Sequence, residues 1–184
     1  FSLTEAQNDL AGLTRRIVGD HDTAASSGTH GSGGFDRPLW TKLARAGILD
    51  AALPASVGGG GFGVLEQCSV LIELGRAVAP VPYLSTIAAA ASTLAEFGDG
   101  AVLERRLVPV VQGRQVLAVA LPDAAAPTGC TLRPDAAGWR LSGTVTAVPF
   151  GAFADALLVQ AASPEGEVLA LVGAGAPGLS VSPQ

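Results

Sequence analysis

Few side chains in this 184-residue chain are of types that carry reaction chemistry, and their spacing decides how each one reads. The two histidines, His21 and His30, lie in polar or Gly-rich surroundings. A metal-ligand or acid–base role needs partners at fixed spacing, and none is near in sequence, so both read as surface residues. Cys68 falls in an apolar helical pattern and reads as a small core residue, whereas Cys130 reads as loop-borne and exposed. Neither belongs to a C-x-x-C or Cys/His pattern that would hold zinc or run redox work. With no signal peptide, two reduced, unpaired thiols in a cytoplasmic protein are expected. Gly58 to Gly63, GGGGFG, suggests a phosphate cradle. It lacks the Lys-Ser/Thr ending of a P-loop and the preceding strand of a dinucleotide site, so it reads as a tight loop opening a helix.

Composition narrows the classes further. The net charge of −5 provides no basic patch, which argues against nucleic acid and against an anionic membrane surface. No apolar run reaches the roughly 18 to 20 residues needed to span a bilayer. With 48% apolar residues there is ample material for a core. The chain begins at Phe1, has no methionine and stops at Gln184 within a β pattern, so it reads as a fragment of a longer polypeptide.

The elements that must position any site change character near residue 113. Before it, the period is helical. Thr4-Glu5-Ala6-Gln7 forms a capping box, with Ala6, Leu10, Leu13 and Ile17 recurring behind it to about Val18. Ser26 to Gly34 is a flexible linker by composition. A second helix opens near Asp36 with Pro38 in its first turn and ends at Gly47, and Ala51 to Pro54 is a short extended piece. Val64 to Val78 is amphipathic, with Val64, Cys68, Leu71, Ile72 and Gly75 expected inside and Glu73 and Arg76 outside. Leu84 to Phe97 is an Ala-rich buried helix, and Ala101 to Leu107 is a last short one, capped by Asp99 and stopped by Pro109 and Gly113.

After Gly113, strands are expected at 115–121, 139–142, 144–148, 156–160, 167–172 and 179–182, with a loop over Pro122 to Gly129 and a turn over Pro134 to Gly138. Helices followed by strands give an α+β chain: a helical domain over 1–112 and a β domain over 113–184.

The order of several segments resembles one family, the acyl-CoA dehydrogenases. Phe1 to Gln7 is similar to their opening. LWTKLARAGILDAALPASVGGGGFG, residues 39–63, resembles their W-x-x-L-a-x-x-G…L-P-x-x-x-G-G-x-G block. LIELGRAVAPVPYL, residues 71–84, resembles the following helix and Pro-containing turn, and ERRLVPVVQGRQVLAVAL, residues 104–121, the passage into the middle domain. GWRLSGTVTAVPFGAFADALLVQA, residues 138–161, is similar to the strand pair against which the flavin lies, and APGLSV, residues 176–181, to a later strand. The resemblance implies a helical domain, then a β-barrel-like middle domain, with the C-terminal four-helix domain absent from this chain. It implies FAD, an acyl-CoA substrate, α,β-dehydrogenation in fatty-acid or sterol side-chain breakdown, and an electron-transfer acceptor. It also implies a homo- or hetero-tetramer. The family's catalytic base normally lies in the C-terminal domain, so no catalytic residue is named.

Within that resemblance the flavin-contacting positions fall on Val119, Leu121, Pro122, Thr128, Ala147, Val148 and Pro149. The family pattern L-T-E-P-x-A-G-S-D meets Leu121 to Gly129: Pro122 replaces the flavin-bonding threonine, Pro127 replaces the glycine, and Thr128 can replace the serine. The pattern K-x-W-I-S/T-N meets Val145 to Phe150, with Ala147 in place of the ring that covers the flavin and Pro149 in place of the hydroxyl. Proline has no N–H to donate, so backbone contacts are lost with the side chains. Members that pair two unlike subunits, some acting on CoA-linked steroid side chains, are a natural home for such changes. A non-catalytic structural subunit is the alternative.

Overall fold

The computed structural model describes residues 2–21, 34–122, 129–136 and 138–182. The chain divides into two compact units, Phe1–Gln115 and Val116–Gln184. The first is helical, and the second is built on a mixed five-stranded sheet.

Helix α1, Glu5–Gly19, starts at the expected capping box: Thr4 Oγ1 accepts from the Gln7 N–H at 3.2 Å, and Gln7 Oε1 accepts from the Thr4 N–H at 3.0 Å. Helix α2, Arg37–Arg45, has Asp36 as its cap, with Oδ1 accepting from the Leu39 N–H at 2.9 Å. Its Leu39, Trp40 and Leu43 are fully buried and form the centre of the helical core with Ile48, Tyr83 and Ile87. The left-handed Gly47 turns the chain out of α2, and Ala51 to Leu53 form turns rather than the expected extended piece. The linker expected over Ser26 to Gly34 falls largely outside the described residues.

Helix α3, Val64–Arg76, presents the opposite face from the one its hydropathy suggests. Val64 and Ile72 are 67% and 53% exposed, Cys68 and Gly75 are also exposed, and Leu71 is half-buried. Gln67, Ser69, Val70, Glu73 and Leu74 are inside. Long-range polar contacts to α1 outweigh the apolar stripe. Gln7 donates to Glu66 at 3.0 Å, and Arg15 donates through Nε and Nη2 to both Glu73 oxygens at 2.9 Å. Arg76 completes the cluster on Glu73 at 2.6 Å.

The hydrogen bond from Arg15, reinforced by the charges of Arg15 and Arg76, holds the Glu73 carboxylate below its ordinary range despite the opposing pull of desolvation. A lowered carboxylate stabilises the fold above its unfolded value, and that contribution disappears as pH falls through the folded value. Glu73→Gln is therefore expected to be less stable than the native chain near pH 7, with the gap narrowing as pH falls below the ordinary carboxylate range. Denaturant melts at pH 7 and below that range check this, and parallel pH curves for the two proteins would contradict it.

Helix α4 begins as a π-helix, Tyr83–Ala91, and runs without a break into α-helical Ser92–Phe97. Helix α5 does not end at Pro109 as expected. It runs through Gly100–Val102, the π-helical turn Leu103–Leu107 and Val108–Val111, with Asp99 capping it. Pro109 falls in the first turn of the final segment, directly after the π turn that re-registers the backbone bonds, so its missing N–H is accommodated. The left-handed Gly113 closes the helix. A Cβ there would lie 2.8 Å from that of Ala44.

In the sheet unit, β1 is Leu117–Ala120, β2 Cys130–Asp135, β3 Gly138–Ser142, β4 Ala156–Ser163 and β5 Gly166–Gly173. β4 is central. Along one edge it pairs in parallel with β1 and then, further along, with β2; along the other it pairs antiparallel with β5. β2 and β3 form an antiparallel hairpin in which Asp135 faces Gly138. β2 is not evident in the sequence because Arg133, Pro134 and Asp135 are poor strand formers. Residues 144–148 and 179–182, expected as strands, are not strands. In the first stretch the left-handed backbone of Gly143 (φ +146°) and Ala147 (φ +55°) breaks the ladder. Ala118, Ala120, Cys130, Leu157, Val159 and Ala161 form the core of this unit.

Candidate functional site

The positions singled out for a flavin lie on three pieces of the sheet unit. Val119 is on β1, paired with Leu158 of β4, and is half-buried. Alternation along β1 turns Ala118 and Ala120 into the core cluster and leaves Val119 and Leu121 on the opposite face, where Leu121 is 54% exposed. Pro122 follows it, half-buried. Thr128, with Asp123 and Pro127, lies outside the described residues. The third piece is the irregular stretch after β3. There Val148 packs against the core cluster, and Ala147 and Pro149 on either side are exposed.

Local sequence explains this shape. At Gly143 a Cβ would lie 2.7 Å from Cys130 Cα and 2.9 Å from its Sγ, so only glycine lets the end of β3 approach the start of β2. Cys130 is therefore buried rather than exposed, and burial pushes its thiol up, away from the reactive thiolate. After Ala147, the left-handed Phe150 turns the chain into the short 3-10 turn Gly151–Phe153. Gly151 N–H donates to the Val148 carbonyl at 3.1 Å.

Chemically, this surface offers little to a flavin. The side chains of Val119, Leu121, Pro122, Ala147, Val148 and Pro149 contain no hydrogen-bonding atom and no aromatic ring, and the two prolines lack an N–H as well. A polar ring edge that left water for this surface would find backbone groups of the non-proline residues alone to replace its hydrogen bonds. Among the described residues, these positions offer a flavin ring no side-chain donor and no aromatic cover. No chemical step is assigned through it.

Sequence reasoning missed a different cluster. His21 is buried, not a surface residue as expected, and its Nε2 lies 2.7 Å from Asp36 Oδ2 while its Nδ1 lies 3.1 Å from Lys42 Nζ. His30 lies outside the described residues. Fifteen residues separate His21 from Asp36, and no short-range spacing marks such a pair. The nearest signal is that Asp36 and Lys42 flank the first turns of one helix. Among the described residues no cluster of three metal-ligating side chains occurs, and no helix is long and apolar enough to cross a membrane. Cys68 is exposed on α3 rather than in the core.

Comparison with known proteins supplies the lineage. Residues 4–114 match the model of the acyl-CoA dehydrogenase N-terminal domain. Over 99% of its length the chain is 43% identical to acyl-CoA dehydrogenase FadE27 of Mycobacterium tuberculosis. It superposes on the ChsE4-ChsE5 complex of M. tuberculosis with TM-score 0.90 at 42% identity, covering 98% of this chain. The steroid acyl-CoA dehydrogenase Tcur3481-Tcur3483, as its G363A variant, gives 0.84 at 44% identity over 96% of this chain. The chain spans about half the length of these relatives, 49% of FadE27 and 50% of each structural neighbour. Its helical unit, the sheet that follows and the matched sequence together place this chain in the acyl-CoA dehydrogenase family.

Proposed function

We propose that this chain is a subunit of an FAD-dependent acyl-CoA dehydrogenase. In this reading it works beside an unlike subunit, on the CoA thioester of a fatty-acid or sterol side chain, in the cytoplasm, and delivers electrons to an electron-transfer acceptor. The observation that carries the reading is the poverty of its own flavin surface: Ala147 and Pro149 are exposed and bring neither ring nor side-chain donor. Relatives at more than 40% identity are named as a complex and as a steroid enzyme, which supports the two-subunit assembly and the sterol class. Here the flavin site on this chain is completed only in the assembly, where the unlike subunit supplies the ring and donors that this chain lacks.

The second reading, a structural subunit with no flavin of its own at any stage, is favoured by the same missing donors. Expressing the chain alone and together with a second acyl-CoA dehydrogenase subunit separates the two. The expected result is a protein that purifies nearly free of flavin when alone, and a complex with a flavin spectrum that oxidises an acyl-CoA. Stoichiometric FAD on the isolated chain would overturn the two-subunit reading. A flavin-bearing complex in which the flavin count equals that of the partner alone would favour the structural one.

A further inference from the structure

The Asp36–His21–Lys42 cluster has the geometry of a nucleophile, a base and an orienting carboxylate. Asp36 is fully buried, and its carboxylate is fixed at both oxygens: Oδ1 accepts from the Leu39 N–H and Oδ2 faces His21 Nε2. A carboxylate only accepts and an ammonium only donates. The neutral imidazole carrying its proton on Nε2 is therefore the form that satisfies Asp36 and Lys42 together. That tautomer presents the Nδ1 lone pair to Lys42 Nζ, positioned to take its proton. Lys42 itself is exposed and lines a shallow surface groove with Ile17, Asp20, Arg45 and Ala46, so a reactant can reach it.

We propose that Lys42 is an acylation site, at which the His21–Asp36 pair assists attack by the amine on acyl thioesters, the substrate class of the proposed function on which this inference rests. The neutral Lys42 amine, its third proton lost to alkaline solvent, attacks the thioester carbonyl carbon. As the C–N bond forms, His21 Nδ1 takes one N–H proton from the attacking nitrogen, and the imidazolium formed is held by Asp36. The C–S bond then breaks, and the leaving thiolate takes up the proton from His21. The products are an Nε-acyl-lysine and a free thiol, with one proton released to solvent when the ammonium ionised. In these roles Lys42 is the nucleophile, His21 the proton acceptor and Asp36 a positioning residue.

The test is unusually clean because Lys42 is the sole lysine of the chain. The purified protein is incubated with butyryl-CoA at mildly alkaline pH and followed by intact mass and peptide mapping, with the amino terminus as an internal clock. Lys42 is expected to acquire the acyl group about a hundredfold faster or more in the folded chain than in the same chain unfolded in guanidinium, the lower end of what a positioned base contributes. Asp36→Asn keeps the oxygen that caps α2 but presents an N–H to His21 Nε2. That forces the imidazole proton onto Nδ1, where it can no longer accept from Lys42. This variant is expected to retain its helical signal and fall to the unfolded-chain rate, with the His21 tautomer change visible in its ring-nitrogen NMR shifts. A folded-chain rate no greater than the unfolded one overturns the proposal, and so does a folded Asp36→Asn protein that reacts like the native chain. The folded-to-unfolded comparison keeps the test decisive even if a variant fails to fold.

Discussion

Replacing Ala147 by Trp and Pro149 by Thr together is expected to tighten FAD binding by this chain about tenfold or more. Both positions are exposed on either side of the core-packed Val148, so larger side chains there meet solvent or ligand rather than the core. The threonine would restore a hydroxyl and a backbone N–H that Pro149 lacks. One hydrogen bond recovered to a polar ring edge contributes about 0.5 to 1.5 kcal/mol. A stacked indole adds roughly 0.5 to 1.5 kcal/mol. The left-handed backbone at 147 (φ +55°) already carries the cost of a Cβ, and the bulkier indole adds to that strain, which offsets part of the gain. Titration of both proteins with FAD, read by flavin fluorescence, checks the result. If the unaltered chain already holds one FAD tightly, the account of a degraded surface is wrong. If the double variant folds but gains nothing, the missing affinity lies elsewhere in the site.

What was readable in the sequence and what was not divides along the range of the interactions. The capping box at Thr4, the helix opening near Asp36, its end near Gly47 and the change of period after Gly113 rest on short-range signals, and the structure reproduces them. The buried face of α3 was not readable, because it depends on Arg15 and Gln7, nearly sixty residues away, taking Glu73 and Glu66 as partners. Hydropathy ranks Val64, Cys68 and Ile72 as the inner stripe. A polar interface between α1 and α3 reverses that ranking, since a carboxylate gripped by two guanidinium groups tolerates burial that an unpaired one does not. His21 failed for the same reason: its partners come from another helix. β2 failed because tertiary pairing with β3 and β4 overrode the weak strand propensity of Arg133-Pro134-Asp135. The flavin-contacting positions came from resemblance alone, and nothing in composition or period would have picked out Ala147 or Pro149.

Gly59→Ala is expected to destabilise the helical unit by about 2 to 3 kcal/mol, in the upper part of the range for forced overpacking. For a chain of this size that lowers the melting midpoint by roughly 4 to 12 °C. The glycine run that suggested a phosphate cradle has a different physical reason in the structure. A Cβ on Gly59 would lie 2.2 Å from the Leu53 carbonyl oxygen and 2.5 Å from its carbon, and one on Gly60 would lie 2.6 Å from the Ala51 oxygen. Those atoms are backbone, not the movable end of a side chain. The backbone is fixed there by hydrogen bonds from Gly59 to Pro54, from Gly60 to Asp50 and from Gly61 to Leu53. The loop is thus folded back against the segment that follows α2, leaving no room for any side chain at 59. Gly58 is the contrasting position, because it has open space around it but a left-handed backbone with φ +82°. Asn tolerates that region, so Gly58→Asn is expected to cost well under ~1 kcal/mol. Thermal melts of the two variants beside the native chain decide the matter. Equal, small losses would show that the loop yields easily and that close backbone approach is not what keeps glycine at 59. A large loss at 59 alone, unchanged by added phosphate or nucleotide, identifies the run as a packing device between two backbone segments rather than a ligand cradle.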